Sequence, residues 1–223
     1  LLRMEYPLTG KLGVEFEMKG RGASRVGHAS MKLKNGGMLL LSGVGAAMRL
    51  DVQGNKLRAD GKLSLGAPGG AANSPCRRRF LDITLGGKGQ LGAGGLLSRK
   101  AWQNTSTKGR TKSELPNLTC LIDVVDLVNP GGEIALSKLG GAATLQLMFS
   151  GPVNAFTKTD FSLRTRDMTI AMASEDDELW AADSLNLLLD AKTGPRGSDS
   201  LDLRLIPHEA PDSTRLHLHA DTK

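Results

Sequence analysis

Apolar and polar residues alternate along most of this chain with a period of two. The first such run places Leu12, Val14, Phe16 and Met18 between polar or small residues. Successive side chains of a β-strand point to opposite faces of a sheet, so each run predicts a strand with one apolar and one polar face. Further runs of this kind occupy residues 48–52, 81–85, 145–149, 161–163, 168–172, 185–189, 201–205 and 216–218.

Turn-forming residues separate these runs, as in the segments 19–22, 53–55 and 150–152. Glycine admits positive φ and proline fixes φ in the range that a turn requires. Closely spaced strands joined by such turns predict an all-β, antiparallel fold. Residues 178–190 are compatible with a helix, but the alternation of leucines over 185–189 favours a strand.

Two segments interrupt the alternation. Residues 66–79 combine Gly, Ala and Pro with three consecutive arginines, and predict a loop. Residues 86–114 are rich in Gly, Ser, Thr and Lys, and predict a flexible loop or insert. A loop of that length is unusual inside a compact domain. We therefore expect it to separate a first β segment, residues 1–85, from a second one, residues 115–223.

The composition argues against a compact enzyme or a nucleic-acid-binding module. Aromatic residues make up 4% of the chain, although rings usually supply much of an enzyme's buried area. The net charge is +6, but only residues 77–79 form a dense basic run, and no known nucleic-acid-binding motif accompanies them. Nucleotide-binding loops and nucleophile-elbow motifs are also missing from the sequence. We expect a non-enzymatic protein without a nucleic-acid partner.

The metal-ligating and redox-active residues are few. Cys76 and Cys120 would form one disulfide in an oxidising compartment, or two structural thiols elsewhere. His217 and His219 share one face of a predicted strand without an evident third ligand, which favours solvent-facing side chains over a metal site. The acidic residues 175–178 lack the spacing of a calcium loop and predict a solvated turn. The sequence therefore predicts neither a metal nor a cofactor.

The two halves of the chain repeat a common unit. Residues 10–20 align with residues 141–151, and each unit is an alternating strand that begins and ends with glycine. A strand pair that cannot close its own core predicts stacking into an elongated sheet.

Three stretches carry a resemblance to a known family: residues 6–20, residues 50–61 and residues 139–152. The chain resembles the AsmA-like superfamily, and in particular the TamB-type (translocation and assembly module) envelope proteins. The resemblance implies an interior fragment with an elongated, curved antiparallel sheet, a β-taco that encloses a half-open groove. It also implies phospholipid transport between inner and outer membranes and a role in outer-membrane biogenesis and protein assembly.

The resemblance further implies a location in the periplasm or cell envelope of a diderm bacterium, with a parent protein anchored in the inner membrane. The corresponding location in a plant or alga is the chloroplast envelope. An outer-membrane β-barrel would be a partner through other parts of the parent protein.

The groove would hold phospholipid acyl chains without any chemical step. Each buried CH₂ contributes about 0.8 kcal/mol, while the headgroup stays in water. The alternative is a structural or adhesive β-solenoid of a surface protein, in which the same residues would fill a sealed core and bind no lipid. The residues predicted to line the groove are Leu12, Val14, Phe16, Met18, Leu50, Val52, Leu145, Leu147, Phe149, Leu185, Leu187 and Leu189.

Overall fold

The protein is described by a computed structural model, and it is an all-β chain. The strands are long because β-branched, Leu and Met residues alternate with charged ones on a pleated backbone. The structure describes residues 9–38, 41–66, 76, 80–95, 98–122, 135–173, 178–194, 199–207, 209, 214 and 216–221. The predicted loop at 66–79 and the predicted acidic turn at 175–178 lie largely outside these residues.

In the part of the chain that the structure describes, eleven strands follow one another, and a short helix lies between the fifth and the sixth. The strands are β1 Thr9–Lys19, β2 Val26–Met38, β3 Leu41–Gln53, β4 Lys56–Gly66, β5 Leu81–Gln90, β6 Ser106–Leu115, β7 Ala135–Pro152, β8 Lys158–Ala173, β9 Glu178–Thr193, β10 Asp199–Pro207 and β11 Leu216–Asp221. Helix α1 covers Arg99–Gln103, and a 3₁₀ turn covers Gly22–Ser24.

All eleven strands belong to one open antiparallel sheet, in which each strand pairs with its neighbours in sequence. The prediction of an all-β, elongated antiparallel sheet is confirmed, and so is the strand, rather than helix, over residues 178–190. Within the described residues, β1 and β11 are edge strands that pair on one side only.

The prediction of a loop or insert over residues 86–114 is wrong. Strand β5 continues to Gln90, strand β6 begins at Ser106, and helix α1 lies between them. Strand β5 contains Gly86, Gly87 and Gly89, which a sequence pattern treats as strand breakers. Here they pair with β4 on one side and β6 on the other. The hydrogen bonds to both neighbouring strands therefore outweigh the low strand propensity of glycine. The described strands of the two predicted segments are therefore joined through one continuous sheet.

The sequence repeat has a counterpart in backbone geometry. Gly10 and Gly141 both adopt positive φ, at 122° and 90°, and both lie at a β-bulge. A Cβ on Gly141 would lie 2.5 Å from the carbonyl oxygens of Arg166 and Asp167 on the neighbouring strand. The repeated glycine is thus required where the bulged strand approaches its partner's backbone.

The buried core is divided between small clusters rather than concentrated between two layers. One cluster contains Val52, Leu57, Leu91 and Ala101, and another surrounds the Cys76–Cys120 disulfide. The chain exposes 15238 Å² of surface. A compact monomer of 23.6 kDa would expose roughly 9,800 Å². Much of the sheet is therefore left without a second packed layer.

Candidate functional site

The strand register assembles a single apolar face across the whole sheet. Directly opposed residues of an antiparallel pair lie on the same face, so an unbroken series of such pairs traces one row of that face. One row is apolar on ten of the eleven strands and carries a serine on the other. It consists of Leu12, Leu33, Ala46, Leu63, Ile83, Ser113, Leu145, Leu163, Leu189, Leu203 and Leu218.

All of the residues predicted to line a groove lie on this apolar face. They come from four strands, β1, β3, β7 and β9, and their accessibility differs widely. Leu12, Val14 and Phe16 on the edge strand are 59%, 66% and 70% exposed, whereas Val52 and Leu185 are 4% and 2% exposed. The rest are half-buried: Met18, Leu50, Leu145, Leu147, Phe149, Leu187 and Leu189.

The predicted groove residues include none from the other seven strands of the face, although several of those strands were themselves predicted. Leu33, Leu63 and Ile83 alternate with polar residues as clearly as the predicted groove residues do. The same period-two pattern therefore identifies them as members of the apolar face. Strand β6 gives no such signal, because it places Thr111 and Ser113 on this face. Only pairing with β5 and β7 shows that β6 belongs to the same surface.

Helix α1 covers one end of the apolar face. Ala101 packs against Val52 and Leu57 near the end of β3 and the start of β4. The Ser98 side chain caps the helix by accepting a hydrogen bond from the Ala101 N–H at 3.2 Å. The buried Thr105 hydroxyl donates to the Ala101 carbonyl at 2.8 Å. We call residues 91–95 and 98–105, which include helix α1, the helical cover.

A second cover lies over the opposite ends of β4, β5 and β6. The Cys76–Cys120 disulfide and the buried Phe80 ring pack against three leucines of these strands and one of the following turn. Those leucines are Leu65, Leu81, Leu115 and Leu121. We call Cys76, Phe80 and residues 118–122 the disulfide cover. Pairing of the two cysteines settles the alternative that the sequence left open.

Between the covers, strand β4 presents only Ala59, Gly61 and Leu63 to the apolar face. At about 3.3 Å per residue, this leaves an uncovered width of about 13 Å. The covers stand at the two strand ends, so the uncovered strip between them runs across the strands. In the centre of the strip the side chains are short, because Ala59, Gly87 and Gly109 lie opposite one another on β4, β5 and β6.

The opposite face is polar and carries ion pairs at regular positions. Residues two apart on a strand share a face, and this spacing joins Lys19 to Glu17 at 2.6 Å and Arg49 to Asp51 at 2.9 Å. The same spacing joins Arg58 to Asp60 and Arg204 to Asp202. Hydrogen bonds from Lys19 and Arg49 lower the pKa of Glu17 and Asp51. This face is therefore solvated and charge-paired.

The two predicted solvent-facing histidines lie on the polar face of edge strand β11. The side chains of His217 and Asp202 approach to 3.1 Å, and those of His219 and Asp221 to 2.9 Å. Hydrogen bonds from Arg204, and then from His217, hold the pKa of Asp202 well below its usual value. Within the described part of the chain, no cluster of His, Cys, Asp and Glu is suited to hold a metal ion.

Asp202 gives the fold a defined acid sensitivity. Because its pKa is lower in the folded state than in the unfolded chain, the stability it contributes is present above about pH 4 and is lost as pH falls towards the folded pKa. We expect Asp202→Asn to lower the urea midpoint at pH 7. The difference from the wild-type midpoint should shrink below pH 4. A difference that stays constant from pH 7 to pH 2.5 would contradict this.

Comparisons with known proteins identified no relative of this chain, so the site is interpreted from its own geometry. No family model matches the chain, and neither the curated proteins nor the solved structures include a significant match. Among the described residues, no helix has the length and hydropathy needed to cross a bilayer.

Proposed function

We propose that this chain is a segment of a non-enzymatic, AsmA/TamB-like envelope protein that shelters phospholipid acyl chains on its apolar face. The observation that carries the proposal is the row that crosses all eleven strands and is apolar on ten of them, with Ser113 of β6 as the exception. Lipid would move along the uncovered strip between the helical and disulfide covers. Its headgroup would remain in water, and no bond would be made or broken.

The energetics favour an occupant with long hydrocarbon chains. Removing apolar surface from water is favourable by roughly 25 cal/mol per Å², and an acyl chain can cover a continuous strip. Large exposed apolar patches on a soluble protein commonly mark binding sites. At a strand spacing of about 4.8 Å, the sheet measures roughly 48 Å from β1 to β11. A strip of that length can accommodate extended acyl chains.

The accessibility of the edge strand favours this proposal over a structural or adhesive β-solenoid. In a solenoid the alternating residues would fill a sealed, dry core. Leu12, Val14 and Phe16 instead are each more than half exposed. An accessible apolar surface is what a lipid-binding face requires, whereas a sealed core would bury these residues.

The disulfide supports the proposed location in a periplasm or envelope compartment. Disulfides persist in oxidising compartments and are rare where thiols are kept reduced. Cys76 and Cys120 form one, and the described residues contain no free cysteine. A membrane-anchored parent protein and an outer-membrane β-barrel partner are part of the same proposal.

Lipid uptake tests the proposal directly. We expect delipidated protein, incubated with phosphatidylcholine and separated from vesicles, to retain at least one phospholipid per chain in native mass spectrometry. Glycerophosphocholine, which has the same headgroup without acyl chains, should not be retained. Absence of retained phospholipid would contradict the proposal, and equal retention of both compounds would show that the acyl chains are not what binds.

A further inference from the structure

A row of directly opposed positions on the polar face changes character in the middle of the sheet. On the first four strands, acidic residues alternate with His or Arg: Glu17 lies opposite His28, His28 opposite Asp51, and Asp51 opposite Arg58. From β4 onwards the alternation stops. The next positions are Lys88 on β5, Lys108 on β6, Ser150 on β7 and Lys158 on β8. We call Arg58, Lys88, Lys108 and Lys158 the cation row.

The two inner members of the cation row have no compensating charge. Like charges directly opposite one another destabilise a sheet, and the Cβ atoms of such pairs lie about 5 Å apart. Arg58 and Lys158, at the ends of the row, each pair with an aspartate two residues away, at 2.9 and 3.5 Å. The residues two positions away are Gly86 and Gln90 for Lys88, and Ser106 and Arg110 for Lys108, so neither lysine has a carboxylate there. Neither lysine makes an ion pair within the described part of the chain.

The backbone around these lysines leaves room for a ligand. Gly86 lies between Asp60 and Arg110 in the adjacent row, so no side chain rises between the cations there. A concavity of about 730 Å³ results, and its walls carry Arg58, Lys88, Lys108, Arg110 and Lys158. Two carboxylates also line it: Asp60 is paired with Arg58, and Asp160 is paired with Lys158 through Oδ2, while its buried Oδ1 has no hydrogen-bond partner. The concavity therefore has an excess of three positive charges.

We propose that this concavity binds a soluble, phosphate-bearing small molecule through Lys88, Lys108 and Arg110. A multivalent oxyanion would remove the repulsion between the opposed lysines and accept charge-assisted hydrogen bonds from all three side chains. The volume lies within the usual range for small-molecule sites, about 300–1,000 Å³. The inference goes beyond the proposed lipid-binding function and does not depend on it.

The headgroup of a lipid held on the apolar face cannot be the ligand. The cation row lies on the other side of the sheet's backbone, and Lys88 is four strands from the β1 edge, or about 19 Å. A bilayer surface is also a poor fit, because the inner cations line a recess rather than a protruding ridge. A small anion can enter the recess and contact Lys88, Lys108 and Arg110 together.

Calorimetric titration of the whole chain with inorganic triphosphate at low ionic strength tests this site. We expect Lys88→Gln and Lys108→Gln each to weaken triphosphate binding at least fivefold, and the double variant at least twentyfold. Lys62→Gln is the matched control. It removes the same charge from an exposed lysine on the polar face of β4, outside the concavity, and should change binding less than twofold.

Thermal unfolding gives a second readout that separates a specific site from general attraction. Without anion, Lys108→Gln should raise the melting temperature, since it relieves the repulsion with Lys88, and it should lose most of the stabilisation that triphosphate gives to the wild type. Equal effects of Lys62→Gln and Lys108→Gln would overturn the proposal. Failure of triphosphate to bind, with or without binding to phosphatidylglycerol vesicles, would overturn it as well.

Discussion

Reduction of the Cys76–Cys120 disulfide is expected to lower the free energy of unfolding by about 4 kcal/mol, the value that loop-closure entropy gives for cysteines this far apart in sequence. The two residues are separated by 44 positions. The bond also holds the disulfide cover against the ends of β4, β5 and β6, where Phe80 and Leu65 are packed. Urea unfolding followed by circular dichroism, with and without dithiothreitol, measures the effect.

The double variant Cys76→Ser, Cys120→Ser is the control for this measurement. It should unfold at the same urea concentration as the reduced wild type and should not respond to dithiothreitol. Coincident midpoints for the oxidised and reduced wild type would show that the cover contributes nothing to global stability.

Leu147→Lys is expected to reduce phospholipid binding at least tenfold. Leu147 lies on β7 in the interior of the apolar face, directly opposite Thr111 on one side and Phe161 on the other. An ammonium group there would have to be covered by hydrocarbon when lipid binds, and burying an unpaired charge is strongly unfavourable. Val14→Lys should have a smaller effect, because Val14 stands on the exposed edge strand. Retained phospholipid per chain is the quantity to measure.

Gln146→Lys is the matched control, since residue 146 is the adjacent position on β7 and points to the polar face. It adds the same charge to the same strand without touching the apolar row. Its lipid content should equal that of the wild type. If both variants lose lipid equally, net charge rather than the apolar face governs binding, and if neither loses lipid, the face is not the binding surface.

The strands and the face of each predicted groove residue could be predicted because one period-two pattern determines both. Leu145 and Leu147 alternate with Thr144 and Gln146, and a strand is the only regular element that separates those two sets. Segment 86–114 could not be predicted in this way. Its glycines have no side chain to alternate, and they become strand residues only through pairing with β4 and β6.

Accessibility along the apolar face was a second property that the sequence did not contain. Val14 and Val52 have the same side chain and occupy the same face, yet one is 66% and the other 4% exposed. The difference arises because Val52 belongs to the buried cluster that contains Ala101 of helix α1, whereas Val14 does not. The pairing of Cys76 with Cys120 likewise depends on the sheet, which places the ends of β4 and β6 on either side of the start of β5.

Within the described residues, strands β1 and β11 each pair on one side only, so the sheet could be extended at both edges. Each edge presents unpaired backbone N–H and C=O groups to any antiparallel strand that reaches it. Every strand added in register would lengthen the apolar surface by roughly 4.8 Å, without a change in the existing ladder. The number of lipid molecules that the face can hold at once would then depend on the number of strands in the extended sheet.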